Sequence, residues 1–138
     1  MSLSQTRIAF IGGGNMARSL VAGLIADGHE PGALIVSDPL AEMRSRLAES
    51  YGVQTTDDNA TAVAGADVVV LAINPQVAPA VCRALAAHLP QPAPLVISVM
   101  AGVSEAAIAA WLGGEIPLVR SMPNTPMLVQ SGAIGLHA

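Results

Sequence analysis

The residues with the most obvious chemistry lie in a glycine-rich segment near the start of the chain. Residues 12–17 read Gly-Gly-Gly-Asn-Met-Ala, which fits the pattern G-x-G-x-x-A. The segment follows a predicted strand at residues 7–11 and opens a stretch with helical spacing, which is the context that this pattern requires. Gly12 permits a tight turn, Gly14 lets a phosphate approach the backbone, and Ala17 lets the helix pack closely on the strand. Because free N–H groups and the positive end of a helix dipole would face the anion, the segment predicts a dinucleotide pyrophosphate site.

A second chemical signal is Asp38, just after the predicted strand at residues 34–36. The dinucleotide fingerprint expects an acidic residue at this place, where its carboxylate accepts hydrogen bonds from a ribose 2′-hydroxyl. The same carboxylate repels a 2′-phosphate, so Asp38 favours NADH over NADPH. Arg44 and Arg46 would oppose that preference if either turned toward the adenosine, and a solvated helix face is the alternative for both. Asp38 itself has an alternative role as a turn residue before Pro39.

Two pairs of small or turn-forming residues follow later predicted strands. Asn74 and Pro75 end the fourth strand, and Ala101 and Gly102 follow the fifth. Small residues here would let a flat nicotinamide riboside lie across the strand ends. Ordinary turn chemistry is the alternative for each pair taken singly.

The most unusual string, residues 120–126, follows the sixth predicted strand. It reads Arg-Ser-Met-Pro-Asn-Thr-Pro, so two prolines bracket an Asn-Thr pair and hold the backbone stiffly. Such a loop would present Asn124 in a fixed pose on the substrate side of the site. A rigid turn that caps the sheet is the alternative.

The remaining reactive side chains do not form a catalytic or metal-binding group. Cys82 is the single cysteine and has apolar neighbours, so we expect a small buried helix residue. The three histidines (His29, His88 and His137) are scattered along the chain and offer no metal-ligand spacing. We therefore predict no metal site and assign no catalytic acid or base.

The elements that must position these residues alternate between short β-rich runs and longer Ala-rich helical runs. Strands are predicted at residues 7–11, 34–36, 53–55, 68–73, 95–99, 117–121 and 133–136. Helices are predicted at residues 15–27, 40–51, 77–89 and 104–112, the last capped by Ser104, and Asp57 or Asp58 can cap a further short helix that runs through Val63. The run at residues 68–73 is continuously apolar, which indicates a strand buried on both faces. The alternation predicts an α/β fold of the Rossmann type, a doubly wound, mostly parallel sheet with helices on both faces and ligands at the carboxyl ends of its strands.

Composition bounds the class of protein. The 138 residues give room for one domain, residues 1–138, and 52% of them are hydrophobic. Charged residues make up 12%, about half the usual share. The longest uncharged stretches are interrupted by prolines, so we expect no membrane span. A net charge of −4 with no lysine argues against nucleic acid as a partner. The chain starts without an apolar signal core, which favours a cytoplasmic protein.

Several of these strings together resemble the N-terminal domain of the Δ1-pyrroline-5-carboxylate reductases, the enzymes that make proline. The resemblance covers the whole chain, and its later strings are more specific than the glycine motif that many dehydrogenases share. The strings are residues 10–17, Asn59, residues 72–76, residues 98–104 and residues 120–126.

The resemblance implies reduction of the cyclic imine pyrroline-5-carboxylate with NADH or NADPH. It places the pyrophosphate on the segment from Gly12 to Met16, and the adenosine side on three polar residues. The implied cofactor contacts are Gly12, Gly14, Asn15, Met16, Ser37, Asp38, Asn59, Ala72, Asn74 and Ala101.

Three departures from the family pattern matter. The family commonly has lysine where this chain has Asn74, which removes a cation near the cofactor. Asp38 stands where many members carry a small neutral residue, which again favours NADH. The family also continues into a helical C-terminal domain that dimerises and supplies the substrate carboxylate site and proton donor. That domain is absent here, so we expect this chain alone to bind dinucleotide weakly and to turn over little.

Two other functions fit the same fold. One is a reductase of the 3-hydroxyacid dehydrogenase type, which would need a lysine from a further domain. The other is a non-catalytic dinucleotide-binding module.

Overall fold

The computed structural model of the chain describes residues 3–114 and 116–120. Strands and α-helices alternate along these residues, with a 3₁₀ turn at Leu3–Gln5 and another at Pro31–Ala33. The strands are β1 (Ile8–Ile11), β2 (Leu34–Ser37), β3 (Gln54–Thr56), β4 (Val68–Leu71), β5 (Leu95–Ser98) and β6 (Leu118–Arg120). The helices are α1 (Asn15–Ala26), α2 (Ala41–Tyr51), α3 (Asn59–Val63), α4 (Ala78–Ala86) and α5 (Glu105–Trp111).

All six strands form one parallel sheet in the order β3-β2-β1-β4-β5-β6. The chain winds outward from β1 to β3 and then crosses back to β4 on the other side of β1. Ile11 pairs with both Ser37 and Leu71, so β1, β2 and β4 end at the same level. The predicted doubly wound α/β architecture is confirmed, and the loops after these three strands meet where the direction of winding reverses. Crevices at this point bind ligands in open α/β sheets.

Helices cover both faces of the sheet, which explains why β1 and β4 are buried at every residue. Ile8 and Phe10 of β1 belong to a core with the buried side chains of α1 and with Leu47 of α2. The alternate residues of β1, Ala9 and Ile11, belong to a second core with buried residues of α3, α4 and α5. The buried apolar residues of the described chain thus form two cores, one on each face of the sheet.

The predicted helix starts are confirmed where a side chain caps them. The Ser104 hydroxyl accepts a hydrogen bond from the Ala107 N–H at 3.1 Å, at the start of α5. Asp58, rather than Asp57, caps α3 by accepting from the Thr61 N–H at 3.3 Å. The Asp57 carboxylate is therefore not used to cap the helix.

The prediction that the fourth strand reaches residue 73 is wrong by two residues. The Ala72 N–H still donates to the Ile11 carbonyl oxygen at 2.9 Å, but β1 turns away at Gly12. Since β4 then has no partner on that side, the strand ends at Leu71. The strand predicted at residues 133–136 lies outside the described residues.

Candidate functional site

The turn after β1 needs glycine at its first position. Gly12 has φ of +105°, a conformation that L side chains rarely adopt. A Cβ at this residue would overlap the carbonyl oxygen of Ala72 and lie 2.9 Å from its carbonyl carbon. The Gly12 N–H also donates to the Ser37 carbonyl oxygen at 2.8 Å. The turn therefore lies tightly between the ends of β2 and β4, as the predicted role of Gly12 requires.

Gly14 lies on the opposite, open side of the same turn. Gly14 directly precedes α1 and has φ of −77°. Because glycine has no side chain, Gly14 cannot cap the first N–H groups of this 12-residue helix. A Cβ at Gly14 would have no atom within 4 Å. Glycine is therefore not demanded here by the protein's own packing. The free space and the helix N-terminus together suit the approach of an anion.

Asp38 fixes the glycine turn through its carboxylate. Its Oδ2 accepts a hydrogen bond from the Gly13 N–H at 2.9 Å, and its Oδ1 accepts from the Leu40 N–H at 2.8 Å. The Arg44 guanidinium donates to the Asp38 carbonyl oxygen at 2.8 Å and so lies beside this residue. A carboxylate oxygen has more than one acceptor site, so Asp38 can still accept from a ligand hydroxyl.

A second polar pair joins the end of β2 to the start of α3. The Ser37 hydroxyl donates to Asn59 Oδ1 at 2.5 Å. Ser37 is buried, and Asn59 is half-buried at the first position of α3. The hydrogen bond orients the Asn59 amide so that its N–H₂ group remains as a donor.

These residues surround one cleft of about 340 Å³ above the ends of β1, β2 and β4. Its position agrees with the winding reversal between β1 and β4. The predicted site residues that line it are Gly12, Gly14, Ser37, Asp38, Asn59, Ala72 and Asn74. The structure thus brings together seven residues from four separate stretches of the sequence.

Other predicted site residues lie away from the lining of this cleft. Asn15 lines a separate groove with Arg18 and Tyr51, and Met16 packs against the core that includes Phe10. Pro75 is exposed in the turn after β4, and Ala101 and Gly102 are exposed in the turn after β5. Asn124 and residues 121–126 lie outside the described residues. The roles of all these residues stay predictions.

Asn74 shapes the turn that follows β4. Its Oδ1 accepts a hydrogen bond from the Gln76 N–H at 2.8 Å, which closes a side-chain turn ahead of α4. Asn74 also lines the cleft. The residue that stands in place of the family's lysine is thus a structural turn former at the cleft wall, and it carries no charge.

Several cleft residues were not predicted from the sequence. Asp57 follows β3, and Val77 and Val81 lie at the start of α4. Val77 is 49% exposed, which makes it an apolar surface available at the cleft. The rule that ligands bind past the carboxyl ends of strands would have found Asp57, whereas the two valines have the helical spacing of core residues. Only the fold shows that they face the cleft.

The described residues contain no group of three or more His, Cys, Asp or Glu side chains that could hold a metal ion. Within the same residues, no helix is both long and apolar enough to cross a membrane. The polar groups that the structure places at this cleft are backbone N–H groups, carboxylates, amides and the Ser37 hydroxyl.

A comparison with protein families agrees with this geometry. The model of a family described as NADP oxidoreductase, coenzyme F420-dependent, matches residues 7–102. The chain belongs to this family. The matched residues run from the start of β1 past β5 and include every residue that lines the cleft.

Individual relatives give a narrower comparison. The chain is 50% identical to the pyrroline-5-carboxylate reductase of Pseudomonas aeruginosa over 99% of its own length and 50% of that protein. It is 40% identical to the enzyme of the same name from Vibrio alginolyticus, again over 99% of this chain and 50% of that protein. The chain thus spans about half the length of the curated relatives it matches.

A solved structure shows the same similarity in three dimensions. A pyrroline-5-carboxylate reductase from Coxiella burnetii is 44% identical to this chain and superposes with a TM-score of 0.84. The match covers 91% of this chain and 47% of that one. The sequence-based resemblance to the N-terminal part of this enzyme family is confirmed.

Proposed function

We propose that this chain is the dinucleotide-binding part of a pyrroline-5-carboxylate reductase, which uses NADH or NADPH to reduce pyrroline-5-carboxylate to proline. One observation carries the cofactor part: the cleft at the winding reversal joins an open helix N-terminus, a glycine turn and a carboxylate. The identity of 50% with a relative of this name over 99% of the chain supports the substrate.

The glycine turn and α1 would hold the pyrophosphate. The open space at Gly14 fits a ligand, since a Cβ there would meet no protein atom within 4 Å. Backbone N–H groups at the start of α1 point into this space, and the helix dipole favours a negative charge. Gly12 and Asp38 would keep the turn in this shape without contacting the phosphates themselves.

Asp38 and the Ser37–Asn59 pair would bind the adenosine ribose. The Asp38 carboxylate can accept from ribose hydroxyls, and the Asn59 amide can donate to a ribose oxygen. Val77 and Val81 offer an apolar wall for the flat base. Because a carboxylate repels a 2′-phosphate, we propose that this site prefers NADH to NADPH.

The nicotinamide end would lie past the ends of β4 and β5, bordered by Ala72, Asn74 and Ala101. When bound, the dinucleotide supplies the hydride that reduces the imine carbon, and a proton completes the amine. The protein's share is to orient the two reactants and to exclude water. We assign no acid or base to this chain, and place the substrate carboxylate site, the proton donor and the homo-oligomer contacts in a helical domain of the family type.

The cofactor part is tested by calorimetric titration of the 138-residue chain with NADH and with NADPH. We expect one site per chain, tighter for NADH, and weaker or absent binding in the Gly14→Ala variant. That variant has an allowed φ of −77° and room for its methyl group, so its fold should be unchanged. Failure of both dinucleotides to bind would contradict the proposal, as would equal binding by Gly14→Ala.

The reaction is tested by fusing the chain to the C-terminal half of the Pseudomonas aeruginosa relative. The fusion should oxidise NADH in the presence of pyrroline-5-carboxylate and form proline, while the 138-residue chain alone should show little turnover. Cofactor binding by the fusion without reduction of the imine would favour a non-catalytic binding module instead.

A further inference from the structure

Asp57 is a charged residue at the cleft that no structural contact explains. It lies in the loop between β3 and α3, is exposed, and lines the same cleft as Ser37, Asp38 and Asn59. The neighbouring Asp58 differs, because its carboxylate caps α3 and accepts from Thr61.

Across the described residues, the Asp57 carboxylate has no hydrogen-bond or ion-pair partner. Asp38 differs here too, since both its oxygens accept backbone N–H groups. An exposed carboxylate with no partner contributes little to the fold beyond a weak effect at a helix start, and α3 is only five residues long. The position of Asp57 at the cleft therefore indicates its role better than its small contribution to the fold does.

The cleft has no positive charge of its own to offset this carboxylate. Among the described residues that line it, none is arginine or lysine, and Asn74 is uncharged. Of the two arginines on α2, Arg46 pairs with Glu42 at 2.6 Å, whereas Arg44 donates to the Asp38 carbonyl oxygen at 2.8 Å and lies beside Asp38 without lining the cleft. Asp38 and Asp57 therefore both contribute negative charge to the same wall.

We infer that Asp57 is a second determinant of cofactor specificity, which disfavours a ribose with a 2′-phosphate through charge repulsion across the cleft. This inference rests on the proposed function, because it requires the adenosine ribose to lie beside Ser37, Asp38 and Asn59. A phosphate monoester carries about −1.5 to −2 at neutral pH, whereas a ribose hydroxyl is neutral. A carboxylate on the wall therefore distinguishes the two ligands without touching either.

The test compares the ratio of NADPH to NADH dissociation constants in wild type, Asp57→Asn and Asp27→Asn. The Asp57→Asn variant should improve NADPH binding relative to NADH by roughly three- to tenfold at low ionic strength, as expected for charges several ångströms apart near a surface. The gain should shrink in 0.5 M salt, since screening acts on charges in contact with solvent. Asp27→Asn removes the same charge at the C-terminal end of α1, on the opposite side of the sheet from the cleft, and should leave the ratio unchanged.

The possible results distinguish the role of Asp57 from the proposed function. NADH binding with an unchanged ratio in Asp57→Asn would overturn the role of Asp57 while leaving the proposed function intact. An equal change of the ratio in Asp27→Asn would also overturn it, because net charge rather than position would then be responsible. Failure of the wild-type chain to bind either dinucleotide would refute the proposed function and this inference with it.

Discussion

The substitution Gly12→Ala tests the geometry of the site most directly, because Gly12 lies between two strand ends. An alanine at φ of +105° is strained, which costs about 1–2 kcal/mol. Its Cβ would overlap the Ala72 carbonyl group, and the backbone shift that relieves such overpacking costs about 1–3 kcal/mol. Loss of glycine's freedom in the unfolded chain returns about 0.4–1 kcal/mol. The net loss in free energy of unfolding should be about 2–4 kcal/mol, a large part of a stability that is typically about 5–15 kcal/mol.

Urea denaturation followed by far-ultraviolet circular dichroism measures this loss. The midpoint should fall while the slope stays the same, because the surface exposed on unfolding does not change. In a thermal scan, the same loss should lower Tm by roughly 8–16 °C for a chain of this size.

Gly14→Ala is the matched control, two residues along the same turn. Its φ of −77° is allowed and a Cβ there meets nothing within 4 Å, so neither the strain nor the overlap at Gly12 arises, and its unfolding free energy should not fall below wild type by more than about 0.5 kcal/mol. Equal stability of Gly12→Ala and wild type would refute the reasoning, because it would mean that the turn does not lie against Ala72. Equal destabilisation by both substitutions would show that the two glycines do not have the separate roles assigned to them.

Three further predictions concern titratable side chains. Asp38→Asn should lose about 1–3 kcal/mol of unfolding free energy in urea, because an amide has one acceptor oxygen for two backbone N–H groups, whereas Asp27→Asn should lose little. A hydrogen bond from the Thr61 hydroxyl lowers the pKa of Asp58 below its ordinary value of 3.8, so its stabilising effect is present above that value and lost as the pH falls through the lowered pKa. Acid should therefore cost the wild-type chain more stability than Asp58→Asn, and parallel acid profiles would contradict this. Burial raises the pKa of Cys82 to about 11, so iodoacetamide at pH 8 should modify the thiol only in urea; rapid modification of the folded chain would show that Cys82 is accessible.

Much of the fold could be predicted from local patterns. Strand and helix positions were correct to within a few residues, because apolar runs and helical spacing reflect which side chains face a core. The errors fell at element ends, as at residues 72 and 73, where the strand stops because its neighbour turns away. The end of this strand depends on the turn at Gly12, which is 60 residues earlier in the chain. No local sequence pattern near residue 72 indicates that turn.

The candidate site was predictable at the glycine turn and at Asp38, which follow from a motif and its spacing. The contacts that connect them were not. Nothing in the spacing indicated that the Asp38 carboxylate binds the Gly13 N–H or that Ser37 donates to Asn59. Local preference indicates only that Asp57 or Asp58 caps α3, because two adjacent aspartates suit that position equally well.

The sequence by itself determined the parts that depend on neighbouring residues: the alternation of strands and helices, the tight turn at Gly12, and the apolar stripes that build two cores. The tertiary structure decided which distant segments meet. The order of strands places β1 between β2 and β4, and their equal register brings three loops to one level. Asp38, Asn59 and Asp57 share a cleft for that reason, since contacts across a sheet depend on strand order and register, which spacing along the chain does not specify.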